Sequence, residues 1–279
     1  MVFERNASLY GQNLLQTLEP KVYYVYIPTR NQNPFPNFES GLQDVNFATL
    51  NTENQFSGSD RINDANQVTV SVTSRLLLQD SGIEQLRAGF GQRFYFKSQE
   101  VTLPGVPART SSNSDLLATL SGVVAPHWTA DTGWQYTTDT SRTQKLTGGV
   151  RYRPEPGKVI NMGYRYQRDV LRQVDVSSQW PLTRRLSGVA RWNYSIPDSK
   201  MIEGLAGLEY NAGCWAFRVV ATGFTAGSQI QTTGIFMQLE LNGVSSIGSN
   251  PLEVLKRNIG GYSRQGFQSA RDDDLFSER

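Results

Sequence analysis

The chain has 279 residues, with 27 Lys and Arg against 25 Asp and Glu, a formal charge of +2 and a mean hydropathy of −0.43. No run approaches the ~18 consecutive apolar residues of a spanning helix, which excludes a helical membrane protein. The basic residues are scattered, so nothing argues for nucleic acid. A hydrophobic fraction of 38% is low for the thick core of a soluble fold this long. By contrast, 25 Gly, 12 Tyr, 13 Phe and 5 Trp suit membrane strands with aromatic girdles. Negative hydropathy fits such strands, because half of each faces a wet lumen. Cys214 is the single cysteine, so any disulfide needs another polypeptide or another stretch of sequence.

Residues 1–20 are polar, mixed and without clear periodicity. The opening MVFERNASLYGQNLL lacks the charged and apolar regions of a secretory signal, so the chain reads as the later part of a longer one. Lys21–Ile27 (KVYYVYI) predicts a strand by its β-branched and aromatic content. The stretch 28–46 holds Pro28, Pro34 and Pro36 and is expected to be a surface loop or a strap across one end. Phe47–Asn54 reads as a further strand, and Phe56–Asn66 as a polar turn segment.

From Val68 to Leu241 the chain alternates apolar and polar in blocks of about ten residues, the length of a tilted strand crossing a bilayer. Eleven strands are expected, near 66–78, 83–97, 114–124, 127–138, 143–153, 158–168, 171–180, 184–195, 201–211, 213–224 and 230–242. Most links are short, whereas 98–113 is long. Faces follow from the alternation. Leu146, Gly148, Val150 and Tyr152 oppose Lys145, Thr147, Arg151 and Arg153, and Ile160, Met162, Tyr164 and Tyr166 oppose Asn161, Arg165 and Gln167. Likewise Leu186, Gly188, Ala190, Trp192 and Tyr194 oppose Ser187, Arg191 and Asn193. An Arg at the lipid midplane costs about 2–4 kcal/mol, so the charged faces turn inward, towards a hydrated interior rather than a packed core.

The fold class expected is therefore all-β: an antiparallel transmembrane β-barrel, of which this chain is a C-terminal portion of about 11–13 strands. Its parts are 1–65 with one or two strands and a Pro-rich loop, 66–242 with the barrel strands, and 243–279 with a disordered acidic tail carrying Asp272, Asp273 and Asp274. A soluble sandwich with one wet face shares the period of two, but its strands are usually shorter.

No catalytic, cofactor or metal set is predicted. One His127 and one Cys214 form neither a metal cluster nor a Cys–His pair, and His127 beside Trp128 reads as a girdle residue. Gly89 and Gly91, like Gly204 and Gly207, lie within strands and are not phosphate loops. A self-contained porin-like channel and an outer-membrane hydrolase are the alternatives. The first needs matched terminal strands, and the second a convergent Ser, His and acid set.

Three blocks carry a family resemblance: LEPKVYYVYIP at 18–28, NQFSGSDRINDANQ at 54–67, and GCWAFRVVATGF followed by GIFMQLELNGVSSIGS. With RNIGGYSR at 257–264, they resemble the C-terminal region of the LptD family of lipopolysaccharide-assembly proteins, over roughly residues 10–262. The resemblance implies an integral protein of the Gram-negative outer membrane, not an enzyme. It implies lipopolysaccharide as cargo, released sideways at the barrel seam. The partners it implies are the lipoprotein plug LptE, a periplasmic lipopolysaccharide bridge reached through an N-terminal domain, and the barrel-assembly machinery. It also makes strand 230–242 one wall of the gate, with Thr232, Gly234, Ile235, Phe236, Met237, Gln238 and Leu239 as gate residues. Some members have adjacent cysteines before the Trp of this block, bridged to the N-terminal domain. Gly213-Cys214-Trp215 leaves Cys214 alone for such a bridge. Inward Arg75, Arg87, Arg93, Arg151 and Arg165 are expected to meet phosphates, or to pair across the lumen with Asp131, Asp175 or Glu240.

Overall fold

The computed structural model describes residues 1–9, 11–226, 230–241 and 244–264. Among the described residues the chain is all-β apart from one short helix. Its strands are β1 (Phe3–Leu9), β2 (Gln12–Ile27), β3 (Gly41–Leu42), β4 (Phe56–Ser57), β5 (Ala65–Leu78), β6 (Glu84–Tyr95), β7 (Leu116–Ala125) and β8 (Trp128–Thr137). They continue as β9 (Arg142–Glu155), β10 (Lys158–Gln167), β11 (Leu171–Pro181), β12 (Leu186–Ser195), β13 (Lys200–Asn211), β14 (Trp215–Ala226), β15 (Ile230–Leu241) and β16 (Ser245–Gly248), before α1 (Pro251–Asn258). Fourteen of them are hydrogen-bonded in the order β1-β2-β5-β6-β7-β8-β9-β10-β11-β12-β13-β14-β15-β16, and β3 pairs with β4. The eleven strands expected between 66 and 242 correspond to β5–β15.

Two expectations near the N-terminus are corrected. Residues 1–20, which lack periodicity, hold β1 and the first half of β2. Pro20 hides this strand from a sequence reading, yet it lies just past the β1 ladder, which ends at Phe3 opposite Leu18. Beyond that point β2 has a partner on one side only among the described residues, where a missing N–H is tolerated. Phe47–Asn54 is not a strand but a series of turns. Its apolar residues serve packing against a sheet face rather than pairing.

The chain divides into two compact units, residues 1–122 with 131–146, and 123–130 with 147–279. In the first unit the link between β2 and β5 folds back onto the inner face of β5 and β6. Leu50 is fully buried there. A Cβ on Gly91 would stand 2.6 Å from Leu50 Cδ2, so only glycine lets the link approach this closely. Arg93 then braces it, its Nη2 donating to the carbonyls of Leu50 at 2.5 Å and Thr52 at 3.3 Å. Buried Arg61 ties down the same link through the carbonyls of Gln32 at 2.7 Å and Phe35 at 2.8 Å. Asp60 accepts the backbone N–H groups of Glu39 at 2.6 Å, Phe38 at 2.8 Å and Ser40 at 3.1 Å. These bonds, that from Glu39 foremost, hold its carboxyl below the usual range.

In the second unit the inward-facing row is not uniformly polar. Val159, Val189, Leu205 and Val220, from β10, β12, β13 and β14, form an apolar island. The segment after β16 returns across it, burying Leu255 of α1 and Ile259 completely. Asn250 caps α1, its Oδ1 accepting from the Leu252 N–H at 3.2 Å, and Pro251 fills the first helical position. Neither β16 nor α1 is legible in the sequence of 243–279. The acidic run Asp272, Asp273 and Asp274 lies outside the described residues.

Candidate functional site

The strands present two chemically distinct faces. Outward residues are exposed and apolar: Val150, Met162, Tyr164, Trp192, Leu208 and Phe217. Inward residues one position away are buried and polar or small, as Ser177, Gln179, Ser187 and Arg218 illustrate. In β12 this pattern follows the alternation, with Ser187 and Val189 buried and Trp192 exposed, whereas in β9 Thr147, Arg151 and Arg153 are themselves exposed. Outward aromatics gather at the strand ends in the second unit. At the end with the links 156–157, 182–185 and 212–214, Trp128 and Tyr152 stack at 4.6 Å, Tyr152 and Trp180 at 6.4 Å, and Tyr210 meets Trp215 at 5.3 Å. At the opposite end Trp192 stacks on Tyr194 at 5.1 Å, and Arg172 lies 5.4 Å over the Tyr166 ring. Arg172 to Trp180 along β11 is about 26 Å at ~3.3 Å per residue. That is roughly 20 Å of height at a ~40° tilt, close to the apolar band of outer-membrane barrels.

The inner face is where the expectation needs correcting. It is lined with charge as predicted, but it is covered by the chain's own segments. In the second unit, residues 250–264 form a strap bonded to five strands. Asn161 Nδ2 donates to the Gly260 carbonyl at 3.0 Å. Gln179 and Ser263 exchange two bonds, at 2.8 and 3.0 Å. Arg191 donates to Asn258 Oδ1, and Arg264 pairs with Glu240. Beneath the strap Arg218, 2% exposed, holds Glu240 Oε2 at 2.7 Å, Gln238 Oε1 at 3.2 Å and Glu209 Oε2 at 3.4 Å. Tyr262 Oη donates to Glu209 Oε2 at 2.8 Å. Burial, followed by the Glu209 charge, pushes the Tyr262 phenol upward and keeps it a donor. Two guanidiniums and two carboxylates balance, the condition under which burying such charges is tolerable.

The predicted lumen arginines separate into structural roles. Arg75 and Arg87 face each other across β5 and β6 and are neutralised by their own neighbours. Glu84 lies 2.8 Å from Arg87, and Glu19 lies 3.3 Å from Arg75. Arg93 is the buried brace described above. Arg151 Nε donates to Asn161 Oδ1 at 2.8 Å. Arg165 stands exposed, opposite Gln173 of β11. Among the three acids, Asp175 pairs with Arg191 at 2.8 Å and Glu240 with Arg218, whereas Asp131 is exposed. Sequence reasoning missed Arg218, Glu209 and Arg191 as network members. The signal was present, because all three have inward parity on adjacent strands.

The gate strand is also revised. β15, not the last strand of the order, pairs along its whole length with β14 and, over Gln238–Leu241, with β16. Of the predicted gate residues, Gln238 and Leu239 are thus paired on both sides. Thr232, Gly234, Ile235 and Phe236 pair only with β14 among the described residues. Met237 has its N–H and carbonyl satisfied by Ser249 Oγ, at 2.8 and 3.1 Å. The site is therefore a backbone edge over Ile230–Phe236 that has no second partner strand among the described residues, beside a strapped inner face.

Cys214 is an exposed free thiol in the turn between β13 and β14. In the second unit that turn shares its strand end with the links 156–157 and 182–185.

A family model described as LPS transport system D, LptD, matches residues 1–192. The chain belongs to the LptD family. It is 51% identical to the LPS-assembly protein LptD of Thiobacillus denitrificans over 262 residues, covering 94% of this chain and 36% of that protein. The Nitrosospira multiformis LptD is 49% identical, covering 97% of this chain and 29% of its own length. The LptD of Nitrosomonas eutropha is 48% identical, with 96% and 37% covered. The chain spans about a third of the length of these curated relatives, and none of them supports the porin-like alternative. Among its described residues no helix is long and apolar enough to cross a membrane, which leaves strand-built spans untouched.

Proposed function

We propose that this chain is the C-terminal barrel portion of a lipopolysaccharide translocon, integral to the Gram-negative outer membrane. It is non-enzymatic and delivers lipopolysaccharide to the outer leaflet through a seam at the free edge of β15. The single observation that carries this reading is the lipid-compatible outward face shared by strands long enough to cross a bilayer, with β15 the last long strand of the row. Unpaired backbone groups are costly in hydrocarbon, so in the full-length barrel the β15 edge over Ile230–Phe236 meets a partner strand, and a weakly held one would let lipid pass. Lipopolysaccharide suits a two-faced passage: its sugars and phosphates travel with the polar interior while its acyl chains leave sideways into lipid. A plug lipoprotein of the LptE type then fills interior space not already taken by the strap, and an N-terminal region links to the periplasmic bridge. The barrel-assembly machinery inserts the whole.

The test is a photo-crosslinker at Ile235 of the full-length protein in cells making lipopolysaccharide. Lipopolysaccharide adducts at Ile235, and none from the outward but remote Met162, are the expected result. Adducts at neither position would refute the seam.

Cys214 fits a bridge to the N-terminal region, because its thiol is exposed in the β13–β14 turn and is the single cysteine of this chain. Cys214→Ser in the full-length protein should abolish the mobility difference between reducing and non-reducing gels. An unchanged difference would remove the bridge.

A further inference from the structure

We infer that the C-terminal strap limits how far β16 zips along β15, and so fixes the length of the open edge. The register of the β15–β16 ladder places Leu241 opposite Ser245 and Gln238 opposite Gly248. Continued by one residue, it would set Ser249 opposite Met237, then Asn250 opposite Phe236 and Pro251 opposite Ile235. The chain departs at the first of these steps. Gly248 adopts a φ of +109°, and a Cβ there would stand 2.3 Å from the Met237 carbonyl oxygen. Only glycine makes this turn away from the edge. Ser249 replaces its own backbone by its hydroxyl, accepting from the Met237 N–H and donating to the Met237 carbonyl.

Two devices then prevent further pairing. Pro251 has no N–H to give Ile235 and is instead committed to α1 behind the Asn250 cap. The strap beyond it is anchored at Leu255 and Ile259 and by the bonds to Asn161, Gln179 and Glu209. Alternation from Met237 aims the backbone groups of Thr233 and Ile235 towards the unpaired side. An unanchored tail would be free to add to that side, as extended segments do at open sheet edges. The consequence for lipid release rests on the seam proposed above, but the pairing itself does not.

The experiment uses the full-length protein with cysteines at Ile235 and Pro251, in a background where its native cysteines are replaced. Oxidation is followed by the mobility of a fragment cut between the two positions. With the strap intact the account predicts no crosslink, although Pro251→Cys has already removed the proline stop. Adding Leu255→Asn and Ile259→Asn to free the strap should produce the crosslink. A crosslink with the strap intact overturns the proposal, and this arm needs no strap variant to fold. No crosslink in a freed protein that keeps its heat-modifiable mobility overturns it as well. Lipopolysaccharide adducts at Ile235 are scored separately, so loss of the seam and loss of the strap's role give different results.

Discussion

Replacing Arg218 with Met in the full-length protein should lower its unfolding free energy by about 3–5 kcal/mol, the usual cost of removing one partner from a buried ion network. Arg218 is the only cation within reach of Glu209 in the described network, and it shares Glu240 with Arg264. Without it the Glu209 carboxylate keeps a single bond, from Tyr262, in a site almost closed to water. Urea unfolding in detergent micelles, followed by tryptophan fluorescence, reads the loss. Adding Glu209→Gln to Arg218→Met should recover part of it, because the stranded charge is then gone. A loss below ~1 kcal/mol for Arg218→Met would mean that water reaches the cluster and the strap does not seal it.

Leu255→Ala should be nearly as damaging, by about 2–5 kcal/mol, the range for truncating a fully buried leucine. The side chain is 0% exposed and rests against the valines of the apolar island. Exposed Glu253, two residues earlier on α1, provides the control: Glu253→Ala should stay within ~0.5 kcal/mol. The same micellar unfolding assay compares the two. Equal, small effects would show that α1 does not hold the inner face.

The alternation that made β5–β15 legible is a local property. Each strand carries its own record of oil and water, so Met162 against Asn161, or Trp192 against Arg191, is readable without knowing the neighbour. What covers the inner face is not local. Leu255 and Ile259 look like an ordinary short amphipathic turn until Val159, Val189, Leu205 and Val220 are seen to need a cover. Inward Val159, Val189 and Val220, in register across the strands with Leu205 two residues off, were the available hint, since a hydrated lumen has no use for such an apolar row.

The same holds in the first unit. Leu50 and Phe47 suggested a strand because apolar content in a short window does not distinguish pairing from packing. Gly89 and Gly91, which make room for them, lie some forty residues away along the chain. For the charges, sequence parity puts Arg75, Arg87 and Arg93 on one face, but it could not tell a phosphate-binding arginine from one neutralised by Glu19 and Glu84. Cys214 and β15 were singled out through family blocks rather than through any local pattern. The stopping point of β16 depends on a backbone turn at Gly248 that no pattern announces.

Depth-resolved accessibility tests the central claim most directly. Spin labels placed singly at Met162, Leu208 and Phe217 of the full-length protein in lipid bilayers should collide with dissolved oxygen and be shielded from a water-soluble nickel chelate. Labels at Ser177 and Ser187 should be shielded from the oxygen-rich bilayer interior. Free nickel access at the first three positions would contradict the account, because those faces would then meet water.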